Sequence, residues 1–304
     1  MTRPHPQGAM ISKREYVKKG KWTLGDKIGK GSFGTVYMGM NTRSGSMMAV
    51  KSLNVLNCAA NQIEELQGEI DTMRRLTHPN IVRYFGAEVD ETEGVLYIFQ
   101  EWCPGGSVSD LMKKFGRFNE NVTRMYLLQI LKGLEYLHSK NVVHRDIKGA
   151  NLLVDSFGSV KLGDFGASKQ LGKEGTMNGG NDMSMKGTPY FMAPEVLQHE
   201  QYGRKADIWS TGGVAYQMIT GEPPWKSLGH KTQYLLWHHI SITKDPPPIP
   251  DYVPTLLREL IIKCFRRDPK KRPLASELIN DPFFTEYDSD DEDVNSLDQD
   301  SASK

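Results

Sequence analysis

The sequence predicts an α+β fold in two unequal parts: a small strand-rich part with one main helix over about 22–103, and a larger helical part over about 104–284. Three observations carry this expectation. Before residue 104, short alternating segments are separated by glycine-containing turns. After it, apolar residues recur at helical spacing over long stretches. Between the two stands Pro104-Gly105-Gly106, a break in composition suited to a linker.

The elements follow in order. Lys27-Ile28-Gly29 leads into Thr35-Val36-Tyr37-Met38, and Met47-Met48-Ala49-Val50-Lys51 follows a turn over 41–46, which reads as antiparallel strands. Over 61–76, Ile63, Leu66, Ile70 and Met73 lie on one helix face, and Asn61 with Glu64 resembles a capping box. Strand character returns over 81–85 and 95–99. Residues 121–138 carry Val122, Met125, Leu128, Leu131, Leu134 and Leu137 with further apolar neighbours, so this helix is expected to be buried on several sides. Helices are expected over 205–220, 232–240 and 255–265, and a last one opens at Arg272-Pro273 and runs through Ile279.

Charge is balanced overall but not locally. The formal net charge of the 304 residues is +1, which gives no field that would draw nucleic acid. The stretch 1–21 holds Arg3, Lys13, Arg14, Lys18, Lys19 and Lys21 and reads as a flexible basic arm. The stretch 285–304 holds Glu286, Asp288, Asp290, Asp291, Glu292, Asp293, Asp298 and Asp300 and reads as an acidic disordered tail. Cys58, Cys103 and Cys264 are too few and too scattered for a disulfide framework or a metal set, so a reducing, cytoplasmic setting is expected. No apolar run is long enough to span a membrane, and the first thirty residues lack the apolar centre of a signal peptide. The short flanks point to a domain cut from a longer chain.

The most specific pattern is a spaced set of polar residues. His144-Arg145-Asp146 is followed by Lys148 and Asn151, and Asp164-Phe165-Gly166 stands eighteen residues after Asp146. The set suits phosphoryl transfer. Asp146 can orient a hydroxyl and accept its proton, Lys148 can meet charge on the transferring group, and Asn151 with Asp164 offers hard oxygen ligands for Mg²⁺. Gly29-Lys30-Gly31-Ser32-Phe33-Gly34-Thr35-Val36 reads G-x-G-x-x-G-x-V, a run where bare backbone can lie over phosphates. It is not a Walker A loop, since Thr35-Val36 stands where Lys and Ser/Thr are required. Nor is it a dinucleotide fingerprint, since a hairpin follows instead of a helix, and the residue about twenty positions on is Lys51 rather than an acid. Lys51 on a strand calls for a counter-charge from the following helix, which carries Glu64, Glu65 and Glu69.

Together these residues resemble the signature of eukaryotic Ser/Thr protein kinase domains, and the resemblance runs over 22–284. Ala193-Pro194-Glu195, Asp207-Ile208-Trp209-Ser210 and Arg272 extend it, with Arg272 expected to pair with Glu195. Gly149-Ala150-Asn151, Gly187-Thr188-Pro189-Tyr190 and Gly221-Glu222-Pro223-Pro224-Trp225 are similar to the MAP kinase kinase kinase group. Phe191, where that group has Trp, and Gln100, guarding the back of the adenine pocket, depart from its pattern.

The resemblance implies a bilobal fold. It also implies an ATP site built from Ile28, Gly29, Gly31, Ser32, Gly34, Val36, Ala49, Lys51, Glu69, Gln100, Glu101, Cys103 and Leu153. It implies Glu69, rather than Glu64 or Glu65, as the counter-charge of Lys51. Adenine would bond the backbone of Glu101 and Cys103 and lie between Val36, Ala49 and Leu153. Met73, Tyr84, His144 and Phe165 would form a stacked spine. Arg145 would receive a phosphate on Ser184, with Thr176 a second candidate and Thr188 a contact of Asp146 and Lys148. The implied cofactors are ATP and Mg²⁺, and the implied partners are a protein substrate that is itself a kinase and an upstream kinase or a second copy acting in trans. The alternative is a nucleotide-binding pseudokinase; loss of Lys51, Asp146 or Asp164 would favour it, and all three are present. The Ala193-Pro194-Glu195 segment disfavours a small-molecule kinase.

Overall fold

The computed structural model describes residues 20–30, 34–56, 60–171, 189–200 and 203–286. The chain opens with three antiparallel strands, β1 (Trp22–Lys30), β2 (Thr35–Asn41) and β3 (Met47–Asn54). Helix α1 (Ala60–Arg75) follows, then β4 (Tyr84–Asp90) and β5 (Val95–Gln100). The five strands form one sheet in the order β1-β2-β3-β5-β4, with every neighbouring pair antiparallel. Strand alternation gives this sheet two apolar faces. Leu53, Leu96 and Ile98 belong to the large core that includes Met73 and Leu76 of α1. Met48, Val50 and Phe99 form a separate cluster under Trp22, Phe85 and Tyr97.

The second part is mainly helical. A short strand β6 (Gly106–Ser107) leads into α2 (Val108–Phe115), which Ser107 and Asp110 cap reciprocally. Helix α3 (Glu120–Ser139) starts on the Asn119 side chain, which accepts from the Val122 N–H. Then come β7 (Val142–Val143), β8 (Leu152–Val154), β9 (Val160–Leu162) and β10 (Lys169–Gln170). The helices α4 (Pro194–Leu197), α5 (Arg204–Thr220), α6 (Gln233–Ile242), α7 (Thr255–Cys264), α8 (Ala275–Leu278) and α9 (Pro282–Thr285) complete the fold. Leu127, Ile130, Leu131, Leu134 and Leu137 of α3 are fully buried, as are Ile208, Trp209, Val214, Ala215 and Met218 of α5. Met125 is the exception on α3 and stands exposed. Gly133 lets this helix lie close to β9, since a Cβ there would sit 2.9 Å from the Asn80 carbonyl oxygen and 3.0 Å from a Leu162 methyl.

Several expectations shift. The strand expected over 81–85 begins only at Tyr84, because Ile81 makes a parallel bridge to Leu162 instead of joining the sheet. Helix α1 begins at Ala60, so Asn61 lies inside it rather than at its cap. The last expected helix becomes the short α8, and α2, α4 and α9 were not anticipated. The linker is bonded down, with the Gly105 N–H on the Val154 carbonyl at 3.0 Å. The basic arm was expected through residue 21, but Gly20 donates to Glu88 at 3.2 Å and the Lys21 carbonyl accepts from Thr42 at 3.0 Å. The acidic tail was expected from 285, yet Thr285 closes α9 and the Glu286 N–H reaches Pro282 at 2.9 Å. Residues 1–19 and 287–304 lie outside the described residues. No helix among the described residues is long and apolar enough to cross a membrane.

Candidate active site

Strand register places the first group of residues. Val36 pairs with Lys51, and Ala49 lies two positions from Lys51, so the three share one face of the sheet. Gly34 is needed for that pairing: a Cβ there would fall 2.2 Å from the Ser52 carbonyl oxygen. Gly29 pairs with Val36 across β1 and β2, and Ile28 beside it is 45% exposed. Gly31 and Ser32 lie outside the described residues.

Lys51 is buried between two carboxylates. Its Nζ lies 3.3 Å from Glu69 Oε1 on α1 and 3.1 Å from Asp164 Oδ1. Burial opposes the Lys51 charge, but the two carboxylates outweigh it and raise its pKa above the usual lysine value. The carboxylates divide the benefit. Burial pushes Glu69 up, and the pull of Lys51 does not cancel it. Asp164 is also pushed up by burial, yet Lys51 overrides this and holds it below the usual carboxylate range. Asp164 is therefore favoured as a carboxylate even though its side chain is only 26% exposed.

The second group is a bonded cluster. Lys148 Nζ donates to Asp146 Oδ1 at 2.9 Å and to Oδ2 at 2.8 Å. Asn151 Nδ2 reaches the Asp146 carbonyl oxygen and Oδ2, both at 2.8 Å. Behind it, the fully buried Asp207 of α5 accepts from the His144 N–H at 2.9 Å and the Arg145 N–H at 2.8 Å. Arg145 has φ +70°, a left-handed backbone that disfavours side chains, and these two bonds hold it there. His138 Nε2 sits 2.9 Å from Asp207 Oδ2. Burial works against the Asp207 charge, but the His138 contact and the His144 N–H keep its carboxyl below the usual range.

Gly163 joins the two groups. Its N–H donates to the Asn151 carbonyl at 2.9 Å, and its own carbonyl oxygen lies 3.0 Å from His144 Nε2. Asp164 follows with φ +54°, a second left-handed residue. Phe165 is buried, and its ring centroid lies 5.2 Å from that of His144. Met73 is buried in the same core and Tyr84 packs against it.

The linker side holds the remaining residues. The Gln100 amide donates to Met73 Sδ at 3.0 Å, a contact with no sequence signal. The Glu101 N–H donates to the Arg83 carbonyl at 2.8 Å, and the Cys103 carbonyl accepts from Gly106 at 3.2 Å. Burial, then the nearby Glu101 charge, pushes the Cys103 thiol up to about 12, so it stays protonated. Leu153 on β8 pairs with Ser107 and Lys161. Glu195 and Arg272, far apart in sequence, meet at 2.7 Å and 3.2 Å. Thr176, Ser184 and Thr188 lie outside the described residues. The direct Lys51–Asp164 contact and the Asn151–Asp146 bonds were not foreseen.

Residues 22–284 match the family described as protein kinase domain. The chain is 48% identical over 272 residues to mitogen-activated protein kinase kinase kinase 2 of Arabidopsis thaliana, covering 87% of this chain and 41% of that protein. It is 42% identical over 273 residues to mitogen-activated protein kinase kinase kinase A of Dictyostelium discoideum, covering 88% and 28%. It is 39% identical over 282 residues to the mouse mitogen-activated protein kinase kinase kinase 1, covering 91% and 19%. The chain thus spans less than half the length of these relatives.

Proposed function

The chain belongs to the protein kinase family, and on that premise we propose that it transfers the γ-phosphoryl group of ATP to serine or threonine hydroxyls of a protein substrate that is itself a kinase. The names of the relatives support a place in a MAP kinase cascade, with a MAP kinase kinase as substrate. The observation that carries the reading is the pair of hydrogen bonds at Gly163, its N–H to the Asn151 carbonyl and its carbonyl oxygen against His144 Nε2, which ties Asp164 and Lys51 to the Asp146 loop.

The donor set fits a hard cation. Asp164 is a carboxylate kept ionised by Lys51, and Asn151 uses its amide nitrogen on Asp146, leaving its amide oxygen as a ligand. Asp164 and Asn151 would hold Mg²⁺, which when bound neutralises phosphate charge. Lys51, kept charged by its two carboxylates, binds phosphate oxygens. Asp146 accepts the hydrogen bond of the incoming hydroxyl, orients it and takes its proton. Lys148, already on Asp146, faces the charge that develops on the transferring group. Adenine lies between Val36, Ala49 and Leu153. It bonds the Glu101 carbonyl, since the Glu101 N–H is used by Arg83, and the Cys103 backbone. Phosphorylation of Ser184, by an upstream kinase or a second copy in trans, brings charge to Arg145 and raises activity.

Incubation with radiolabelled ATP, Mg²⁺ and an inactive MAP kinase kinase, followed by phosphoamino-acid analysis, tests this. Label on serine or threonine of the substrate is expected. Label confined to tyrosine, or none, contradicts it.

A further inference from the structure

Lys161 repeats the signal that singled out Lys51: a buried lysine between apolar residues of a strand, Val160 and Leu162. A charge in that position must be paired, and its partners come from three separate segments, at Glu101, Asp155 and Pro79. Lys161 Nζ lies 3.0 Å from Glu101 Oε1 and 3.8 Å from Asp155 Oδ2, and it donates to the Pro79 carbonyl at 2.8 Å. The other Glu101 oxygen, Oε2, accepts the Arg83 N–H at 3.1 Å. The Glu101 N–H in turn reaches the Arg83 carbonyl at 2.8 Å. Glu101 is thus held by its backbone and by both carboxylate oxygens.

We propose that Lys161 is a positioning residue for nucleotide binding: its ammonium, set between Glu101 and the Pro79 carbonyl, fixes the backbone from Glu101 to Cys103, just ahead of the linker, in the path that adenine requires. This rests on the nucleotide site described under Proposed function. Lys161 and Glu101 side chains are 10% and 27% exposed, so solvent screens their attraction only in part. Without the ammonium, the Glu101 carboxylate keeps one N–H partner and faces Asp155 with no cation between them. It turns to water, and the clasp on Arg83 loosens. Lys161 touches neither the transferred phosphate nor the hydroxyl in this arrangement, so its effect falls on ATP affinity and not on the chemical step.

Steady-state kinetics with varied Mg-ATP separate the possibilities. Lys161→Met raises KM for ATP about tenfold with kcat within about twofold of wild type. Lys161→Arg, which keeps the charge, restores KM to within about threefold. Glu101→Gln raises KM like Lys161→Met, and the double variant is no worse than either alone, as expected when two groups act as one pair. If Lys161→Met does not fold, the Glu101→Gln and Lys161→Arg pair decides by the same criteria. An unchanged KM in a folded Lys161→Met, strictly additive effects, or a change confined to kcat overturns the inference. A wild type with no saturable dependence on ATP overturns the functional reading itself, whereas a saturating wild type with an unaffected Lys161→Met overturns only the role of Lys161.

Discussion

Asp146→Asn lowers kcat by about 10³-fold, with KM for ATP within about twofold of wild type. The loss has a local cause beyond the missing base. Both Asp146 oxygens already accept from Lys148, and one also accepts from Asn151. An amide puts an NH₂ group where one of these oxygens stood, facing other donors. The side chain must rotate away or lose its partners, and the incoming hydroxyl then meets no acceptor in line. The proposed nucleotide contacts lie elsewhere, on Lys51, Asp164 and the backbone of Glu101 and Cys103, so ATP binding is expected to persist. Activity within about tenfold of wild type would contradict the assigned role.

Arg272→Met lowers the thermal unfolding midpoint by roughly 10 °C, from a loss of about 3–5 kcal/mol. Arg272 is almost fully buried and forks onto both Glu195 oxygens. It also donates to the Lys205 carbonyl at 2.6 Å and the Arg266 carbonyl at 3.1 Å, and its guanidinium lies 5.0 Å from the Trp209 ring centroid. Methionine fills much of the space but leaves the buried Glu195 carboxylate without its cation. Glu195 stands on α4, directly after the segment that carries Tyr190 and Phe191, so proteolysis near that segment should also quicken. A midpoint within about 2 °C of wild type, measured by circular dichroism, would show that the pair contributes little.

Much of this arrangement was legible in the sequence because it depends on short-range spacing. His144, Asp146, Lys148 and Asn151 sit within one loop, so their order alone places them together. The two-part architecture follows from the change of period at Pro104-Gly105-Gly106, and the long helices α3 and α5 from apolar residues on several sides. What was hidden depends on contacts between distant segments. Ile81 and Val82 look like ordinary strand residues, but Ile81 pairs with Leu162 and the Val82 N–H donates to the Leu162 carbonyl, so neither joins the five-stranded sheet. The Gln100–Met73 bond and the Lys161–Glu101 pair join elements by tertiary packing, which no local pattern encodes. Helix α2 is short, and its Ser107–Asp110 capping box directly follows the glycines that read as a linker.

Lys51, Asp146 and Asp164 are proposed to serve a single nucleotide, with Asp164 as a magnesium ligand. Calorimetric titration of ADP with and without Mg²⁺, on wild type and Asp164→Asn, tests it most directly. In wild type, Mg²⁺ should tighten ADP binding by at least about tenfold, and Asp164→Asn should lose most of that gain. An equal Mg²⁺ effect in both proteins would contradict the claim.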